Sequence, residues 1–360
     1  MSRTGFSLVL LGGFLGAGKT TTMVAAARRL GARGRRVATI TNDQGDRLVD
    51  TDQARAARAT SVGEVAGGCF CCRFEDFAET AERVVQEGGA DVVIAEAVGS
   101  CADLQATVVR PLRRRYGDAV AVAPLTVVVE PARLEALDGD SDLAYLLGRQ
   151  LEEADVIALN KADTRTAPTL ALTARLLEDA FPAAAVVPCS ARDGRGLDEL
   201  LALWEAPAPA PRDLDISYPR YARAEAALGW LNTDLAIERD FDPAAWAEAM
   251  LAAVSAETAR RGHAVGHVKL AIPTPAGRVT GNLVAAGDRP DVRAPRRATV
   301  ERASALLNAR VACPPGALDA LVRRAASAAD AAAGTRSTFA ATAAFAPGYP
   351  RPVHRLEAAS

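Results

Sequence analysis

The sequence predicts an α/β domain built on a mostly parallel sheet, followed by a smaller α+β domain. Three observations predict it. From residue 6 to about 204, short β-branched runs alternate with longer Ala/Leu/Arg segments; residues 206–211 read Ala-Pro-Ala-Pro-Ala-Pro; and a second set of strand and helix patterns follows. At 360 residues the chain also exceeds what one core ordinarily fills, since single cores stop growing near roughly 250–300 residues.

Taken in order, the strand runs are Leu8–Leu11, Val37–Thr41, Val92–Ala95, Leu125–Val129, Val156–Leu159 and Val186–Val187, with helical patterns between them such as Thr20–Leu30 and Phe74–Glu87. Strand and helix in alternation argue for a parallel sheet covered on both faces. In the Pro repeat every second residue lacks an N–H and has a fixed φ, so it predicts an extended spacer. The expected organisation is a first domain over 1–205, a Pro-rich linker over 206–217, a smaller domain over 218–334 and a poorly ordered tail over 335–360. Within the smaller domain the patterns give a strand near Ala224–Leu235, a helix over Pro243–Arg261 and strands at Val265–Ile272 and Val279–Ala286. Ala298–Ala312 reads as either strand or helix, Pro314–Ala333 as a helix, and a ferredoxin-like arrangement accommodates the set.

Composition narrows the class. Hydrophobic residues at 49%, charged residues at 24% and a net charge of −2 fit a globular chain, with no basic footprint for nucleic acid. No apolar run reaches the roughly 18 residues of a membrane span, and Phe6–Leu11 runs into a Gly-rich loop rather than a cleavage site, so a cytoplasmic protein is expected. Six cysteines, three of them within four positions, suggest metal rather than a disulfide framework.

Directly after the first strand, residues 13–20 satisfy GxxxxGK[ST] in the strand-to-helix context that gives the pattern meaning. Its glycines let backbone N–H groups and a helix N-terminus converge on phosphate. Gly13, Gly16, Ala17, Gly18, Lys19, Thr20 and Thr21 are the expected contacts, Lys19 reaching the β- and γ-phosphates and Thr20 a magnesium ion. After Val156–Leu159 comes Asn160-Lys161-Ala162-Asp163, an NKxD arrangement whose carboxylate accepts from both guanine N–H donors, a pair that adenine lacks. Cys189-Ser190-Ala191 follows the next strand and places Ser190 and Ala191 against the guanine oxygen. The base is therefore read as guanine and the first domain as a P-loop GTPase domain with slow hydrolysis of GTP.

Glu96 ends the strand Val92–Ala95 and is placed to hold magnesium through water, while Gly99 offers its N–H to the γ-phosphate. With Lys19 these form the expected catalytic set. Asn42–Asp50 occupies the position of a first switch, with Asp50 the preferred second magnesium ligand and Asp43 the alternative. Cys69, Cys71 and Cys72 lie in a glycine-flanked turn where three thiols can face one point, and soft thiolates favour zinc or copper(I). Cys101, Cys189 and Cys313 stand apart and are read as core residues.

Residues 12–21, 42–50, 67–72, 96–99 and 153–163 together resemble the CobW-type P-loop GTPases, a branch of the metal-enzyme maturation GTPases. The resemblance implies that Cys69, Cys71 and Cys72 are metal ligands, usually for zinc, and that the partner is a client metalloprotein, with a homodimer as a further possibility. It implies a metal chaperone driven by GTP; the alternative is a GTP-dependent reactivator of a corrinoid (cobalamin) enzyme. The chain departs from the family at Asp43-Gln44, at Glu130 and in its C-terminal half, which lacks a His-rich tract.

Overall fold

The computed structural model describes residues 5–42, 61–134, 139–296 and 298–358. They form two compact units, one from the residues before Glu225 together with the segment from Pro350, the other from Glu225–Tyr349.

The first unit is built on β1 (Phe6–Gly12), β2 (Val37–Asn42), β3 (Ser61–Val65), β4 (Val92–Glu96), β5 (Val120–Val122), β6 (Thr126–Val129), β7 (Val156–Leu159) and β8 (Ala185–Pro188). Their order is β3-β2-β4-β1-β6-β7-β8, with β5 added on β1, and every pairing is parallel. Strands β2, β4, β6 and β7 are buried along their whole length, so they read as largely apolar, β-branched runs whose few polar side chains, such as Thr39, Thr41 and Thr126, are buried too. Helices α1 (Lys19–Ala32), α2 (Phe74–Gly88) and α3 (Asp142–Glu152) cover the sheet. Helix α2 shows why: Phe74, Phe77, Ala78, Ala81 and Val84 recur at three- and four-residue steps and all are buried. Because β1 has β4 on one side and β6 on the other, the strand order reverses at the carboxyl end of β1, where open α/β sheets bind ligands.

The second unit holds β9 (Gly229–Phe241), β10 (Val265–Thr274), β11 (Gly277–Leu283), β12 (Asp291–Arg293), β13 (Val300–Val311) and β14 (Arg336–Phe345) in the order β12-β11-β10-β13-β9-β14, antiparallel throughout. Helices α4 (Pro243–Arg261) and α5 (Pro315–Ala333) follow β9 and β13. Strands β14-β9-β13-β10 thus reproduce the split βαβ order, extended at one edge by β11 and β12. Asp242 caps α4 by accepting from Ala244 N at 2.9 Å, Pro243 sits where no N–H is needed, and Gly262 stops the helix at φ 67°. Trp246 is fully buried and its indole donates to Asp330 at 3.0 Å, tying α4 to α5.

Three segments differ from the sequence reading. The Pro-rich stretch lacks regular structure but is tied to the first unit: Arg212 pairs with Asp155 at 3.1 Å and Arg110 with Asp213 at 2.7 Å. The division between units therefore falls after Ala224, inside a helix over Tyr218–Ala226 where a strand was expected to begin. Residues 336–345, expected as tail, form β14 because β9 offers them a ladder from Trp230 to Glu238. Among the described residues no helix is long and apolar enough to cross a membrane.

Candidate functional site

The phosphate loop leaves β1 with Gly13, Gly16 and Gly18 at φ 117°, 81° and 98°, a region that disfavours side chains. A methyl group at Gly18 would also lie 2.4 Å from Asn160 Nδ2, so the loop and the strand end after β7 need a glycine where they meet. No side chain caps α1, which leaves its first N–H groups to the loop. Lys19 Nζ donates to Gly13 O at 2.7 Å and Phe14 O at 3.3 Å, holding its charge over the loop. The Thr20 hydroxyl donates to Glu96 Oε2 at 2.8 Å; both are buried, and pairing of Leu11 with Glu96 brings the ends of β1 and β4 level. A hydroxyl and a carboxylate facing each other beside a phosphate loop form a donor set suited to a hard cation. Gly99 is buried beside loop residue Leu15, whereas Thr21 is exposed on α1.

The Asn-Lys-Ala-Asp motif after β7 is locked by Asn160. Its Nδ2 donates to Ala17 O at 2.9 Å and its Oδ1 accepts from Ala191 N at 3.0 Å, so one buried amide joins the phosphate loop to the loop after β8. Lys161 takes a left-handed φ of 61° and pairs with buried Glu130, which also lies 3.5 Å from Arg133. Asp163 is half-buried and accepts from the Ser190 hydroxyl at 2.8 Å, which orients the carboxylate. Lys19, Thr20, Glu96, Asn160, Ala17 and Ala191 are thus brought together, while Asp43 and Asp50 lie outside the described residues.

The thiol turn precedes α2. Its anchor is Asn42 at the end of β2: Nδ2 donates to Val65 O at 2.9 Å and Gly68 O at 2.7 Å, and Oδ1 accepts from Phe70 N at 3.0 Å. Phe70 stacks on Phe77 with ring centroids 3.9 Å apart. This holds the sulfurs of Cys69, Cys71 and Cys72 within 4.8 Å of one another, with Cys69–Cys71 at 2.9 Å and Cys71–Cys72 at 3.9 Å.

Two partners of the turn are not legible in its motif. The Cys101 thiol, buried in the core as the sequence reading expects, hydrogen-bonds with Cys69 and Cys71. The chain's end also lies along the turn: Val353 N donates to Cys71 O at 2.9 Å, the Arg351 N–H bonds to Cys72, and His354 meets the Phe74 ring edge-on. Hydrogen bonds from Cys101 first, then from Cys71 and Cys72, hold the Cys69 thiol well below the usual thiol range. Its contacts with Cys101, Cys69 and Cys72, together with burial, push Cys71 well above that range. The hydrogen bond to Cys69 is the main cause that pushes Cys72 up to about 11. The turn therefore carries one favoured thiolate surrounded by thiols that donate to it.

A phosphate loop after β1 and an Asn-Lys-Ala-Asp strand end after β7, joined to it through Asn160 on one parallel sheet, fit a P-loop GTPase fold. A family model described as CobW/HypB/UreG, nucleotide-binding domain, matches residues 7–188, and the chain belongs to that family. It is 30% identical over 227 residues to the zinc chaperone CobW of Pseudomonas aeruginosa, a match covering 54% of this chain and 59% of that protein. It is 31% identical over 176 residues to the zinc chaperone CobW of a Sinorhizobium species, covering 42% and 49%. The match therefore spans about half the length of these relatives. The structure of HypB from Helicobacter pylori in complex with nickel aligns with a TM-score of 0.39 at 17% identity, over 55% of this chain and 84% of that one.

Proposed function

We propose that the protein is a GTP-hydrolysing metal chaperone that couples its nucleotide state to the delivery of zinc to a client metalloprotein. The observation that carries this reading is the convergence of three thiol sulfurs within 4.8 Å in the same unit as the phosphate loop. Three thiolates are a soft donor set that leaves a tetrahedral zinc one ligand short, which suits transfer better than permanent structural binding.

In this reading Lys19 and the N–H groups at the start of α1 stabilise charge that grows on the γ-phosphate as water attacks it. Thr20 and Glu96, with Asp50 from the switch, would hold magnesium, which would supply neutralisation of the phosphate charge. Asp163 selects guanine, and Gly99 reports whether the γ-phosphate is present. The client, or a second copy of the chain, is the recipient side of the reaction.

A competitive zinc titration of the apo-protein with GTP, GDP, a non-hydrolysable GTP analogue or ATP tests the reading. Zinc affinity should differ between the GTP and GDP states by roughly 5- to 150-fold, the ordinary range of coupling between sites, and ATP should leave it where no nucleotide does. Equal affinity in all states would defeat the coupling, and an ATP effect equal to that of GTP would defeat guanine selection.

A further inference from the structure

Strand β6 lies between β1 and β7, pairing Val127 with Gly12 on one side and Val129 with Leu159 on the other, so its carboxyl end stands between the phosphate loop and the Asn-Lys-Ala-Asp motif. The approach is close on both sides. A methyl group at Gly13 would lie 2.1 Å from Val128 O, and Asn160 N donates to Val129 O at 2.8 Å. The next residue is Glu130, 4% exposed. A charge so placed needs partners, and Glu130 finds one for each oxygen. Oε2 accepts from Lys161 Nζ, and Oε1 lies 3.5 Å from Arg133 Nε on the helical turn Pro131–Leu134. The Arg133 guanidinium in turn lies 5.4 Å from the centroid of the Phe14 ring, which is buried in the phosphate loop, and Phe14 O accepts from Lys19 Nζ at 3.3 Å. One buried acid therefore links the lysine of the motif after β7 to the loop that carries Lys19.

We propose that Glu130 is a positioning residue for guanine-nucleotide binding: it fixes Lys161, two residues from Asp163, and holds Arg133 against the phosphate loop, so that the base side and the phosphate side of the site are set together. The proposal rests on the guanine-nucleotide reading of this site and names a residue which that reading does not use. Lys161 needs such a hold. Its backbone takes φ 61°, a region that a residue with a side chain occupies at a cost, and its side chain is 26% exposed. A lysine stem left to solvent samples many rotamers, whereas one paired with a buried carboxylate is ordered before the nucleotide arrives, which removes that cost from binding. The charges agree with this role: Lys161 and Arg133 against one carboxylate leave an excess positive charge beside the loop that would take anionic phosphates. A neutral amide in place of Glu130 keeps the shape but leaves the two cations without the charge that gathers them.

The test measures GDP dissociation, GTP turnover and thermal melting on the intact chain, on Glu130→Gln, Glu130→Asp and Lys161→Met, and on the double variant Glu130→Gln/Lys161→Met. Glu130→Gln should release GDP about 10-fold faster or more, since loss of one member of a buried charge pair acts chiefly on dissociation, and KM for GTP should rise by a larger factor than kcat falls. Glu130→Asp keeps the charge and should recover part of the GDP residence time. On the Lys161→Met background, Glu130→Gln should have a smaller effect than it has alone, because residues that act through one contact are not additive. Unchanged GDP dissociation in a folded Glu130→Gln, or full additivity with Lys161→Met, would overturn the assignment. Should Glu130→Gln fail to fold, Lys161→Met breaks the same pair from its more exposed side, and unchanged GDP dissociation there would overturn it equally. A wild type that holds ADP as tightly as GDP would overturn the guanine reading itself, whatever the Glu130 variants do.

Discussion

The phosphate loop and the thiol turn both follow strands of one parallel sheet, yet they are held in opposite ways. Around the phosphate loop, polar atoms already have partners: Asn160 joins Ala17 to Ala191, Thr20 meets Glu96, and Ser190 orients Asp163. Around the thiol turn, the frame is satisfied through Asn42 while the thiols crowd against one another. S–H groups are weak donors, so buried thiols with chiefly each other as partners gain little until a cation replaces their protons. The first site is preorganised to bind an anion by backbone geometry, and the second is assembled to be completed by a cation. A substitution at the first should therefore change chemistry more than folding, and one at the second should change metal affinity through the frame that gathers the sulfurs.

The largest expected effect breaks the comparison at the phosphate loop. Lys19 is half-buried, it holds its ammonium over Gly13 and Phe14, and it adds no apolar surface to the core. Lys19→Ala should cut GTP turnover by roughly 10²- to 10³-fold, the scale of removing one donor from a site of developing charge, while leaving the melting curve unchanged. Single-turnover hydrolysis beside a thermal melt checks both halves. Unchanged turnover would mean that the loop is not catalytic, and a large loss of stability would mean that it is no more preorganised than the thiol turn.

The phosphate loop was legible because its constraints are local: glycines at fixed offsets, a lysine, a hydroxyl and a preceding strand all lie within eight residues. The runs that became β1, β2, β4, β6, β7 and β8 were legible because they are dominated by apolar and β-branched residues, and the threonines among them, Thr39, Thr41 and Thr126, are small enough to be buried with the rest. Strand β3 was not, since Ser61–Val65 is short and carries Gly63 and Glu64 in its middle. Cys101 is buried, as its reading as a core residue expects, but its hydrogen bond to Cys69 was not legible, because it depends on β4 returning to lie beside β2, a fact of strand order that spacing along the chain does not contain. Strand β14 sits at a sheet edge with mostly exposed residues, so it shows no alternation of apolar and polar side chains to read.

A smaller effect sharpens the contrast at the other site. Asn42 is buried and satisfies Val65 O, Gly68 O and Phe70 N at once. Asn42→Ala leaves these groups unpaired at a cost of about 1–3 kcal/mol, which for a unit of this size lowers Tm by roughly 2–12 °C. If the frame is what gathers the sulfurs, zinc affinity should fall in step with the melt, whereas zinc binding that is indifferent to Asn42→Ala would show that the thiols gather without it. Competitive titration and calorimetry on the same preparation separate these outcomes.

The smallest expected effect concerns the last residues of the chain. Residues 350–358 were expected to be loose, but they lie along the thiol turn and the segment after it: Val353 N donates to Cys71 O, Arg355 pairs with buried Asp103 at 2.8 Å, and Leu356 N donates to Ala106 O at 2.9 Å. Burial raises the Asp103 carboxyl above its ordinary value even though Tyr218 and Arg355 favour its charged form, so removing Arg355 takes away one of the groups that keep it ionised. Against the thiols the contacts are fewer: one backbone hydrogen bond to Cys71 O and one N–H to Cys72. The backbone bond to Cys71 contributes about 0.5–1.5 kcal/mol and the bond to the weakly accepting Cys72 sulfur little beside it, so ending the chain at Tyr349 should speed zinc release to a chelator by roughly 2- to 12-fold. GTP turnover should not change, because no residue of this segment touches the phosphate loop among the described contacts. Stopped-flow release with a chromophoric chelator measures the effect. An unchanged release rate would show that the segment is packing alone, and a release faster by several orders of magnitude would show that it, rather than Asn42, is the frame of the thiol turn.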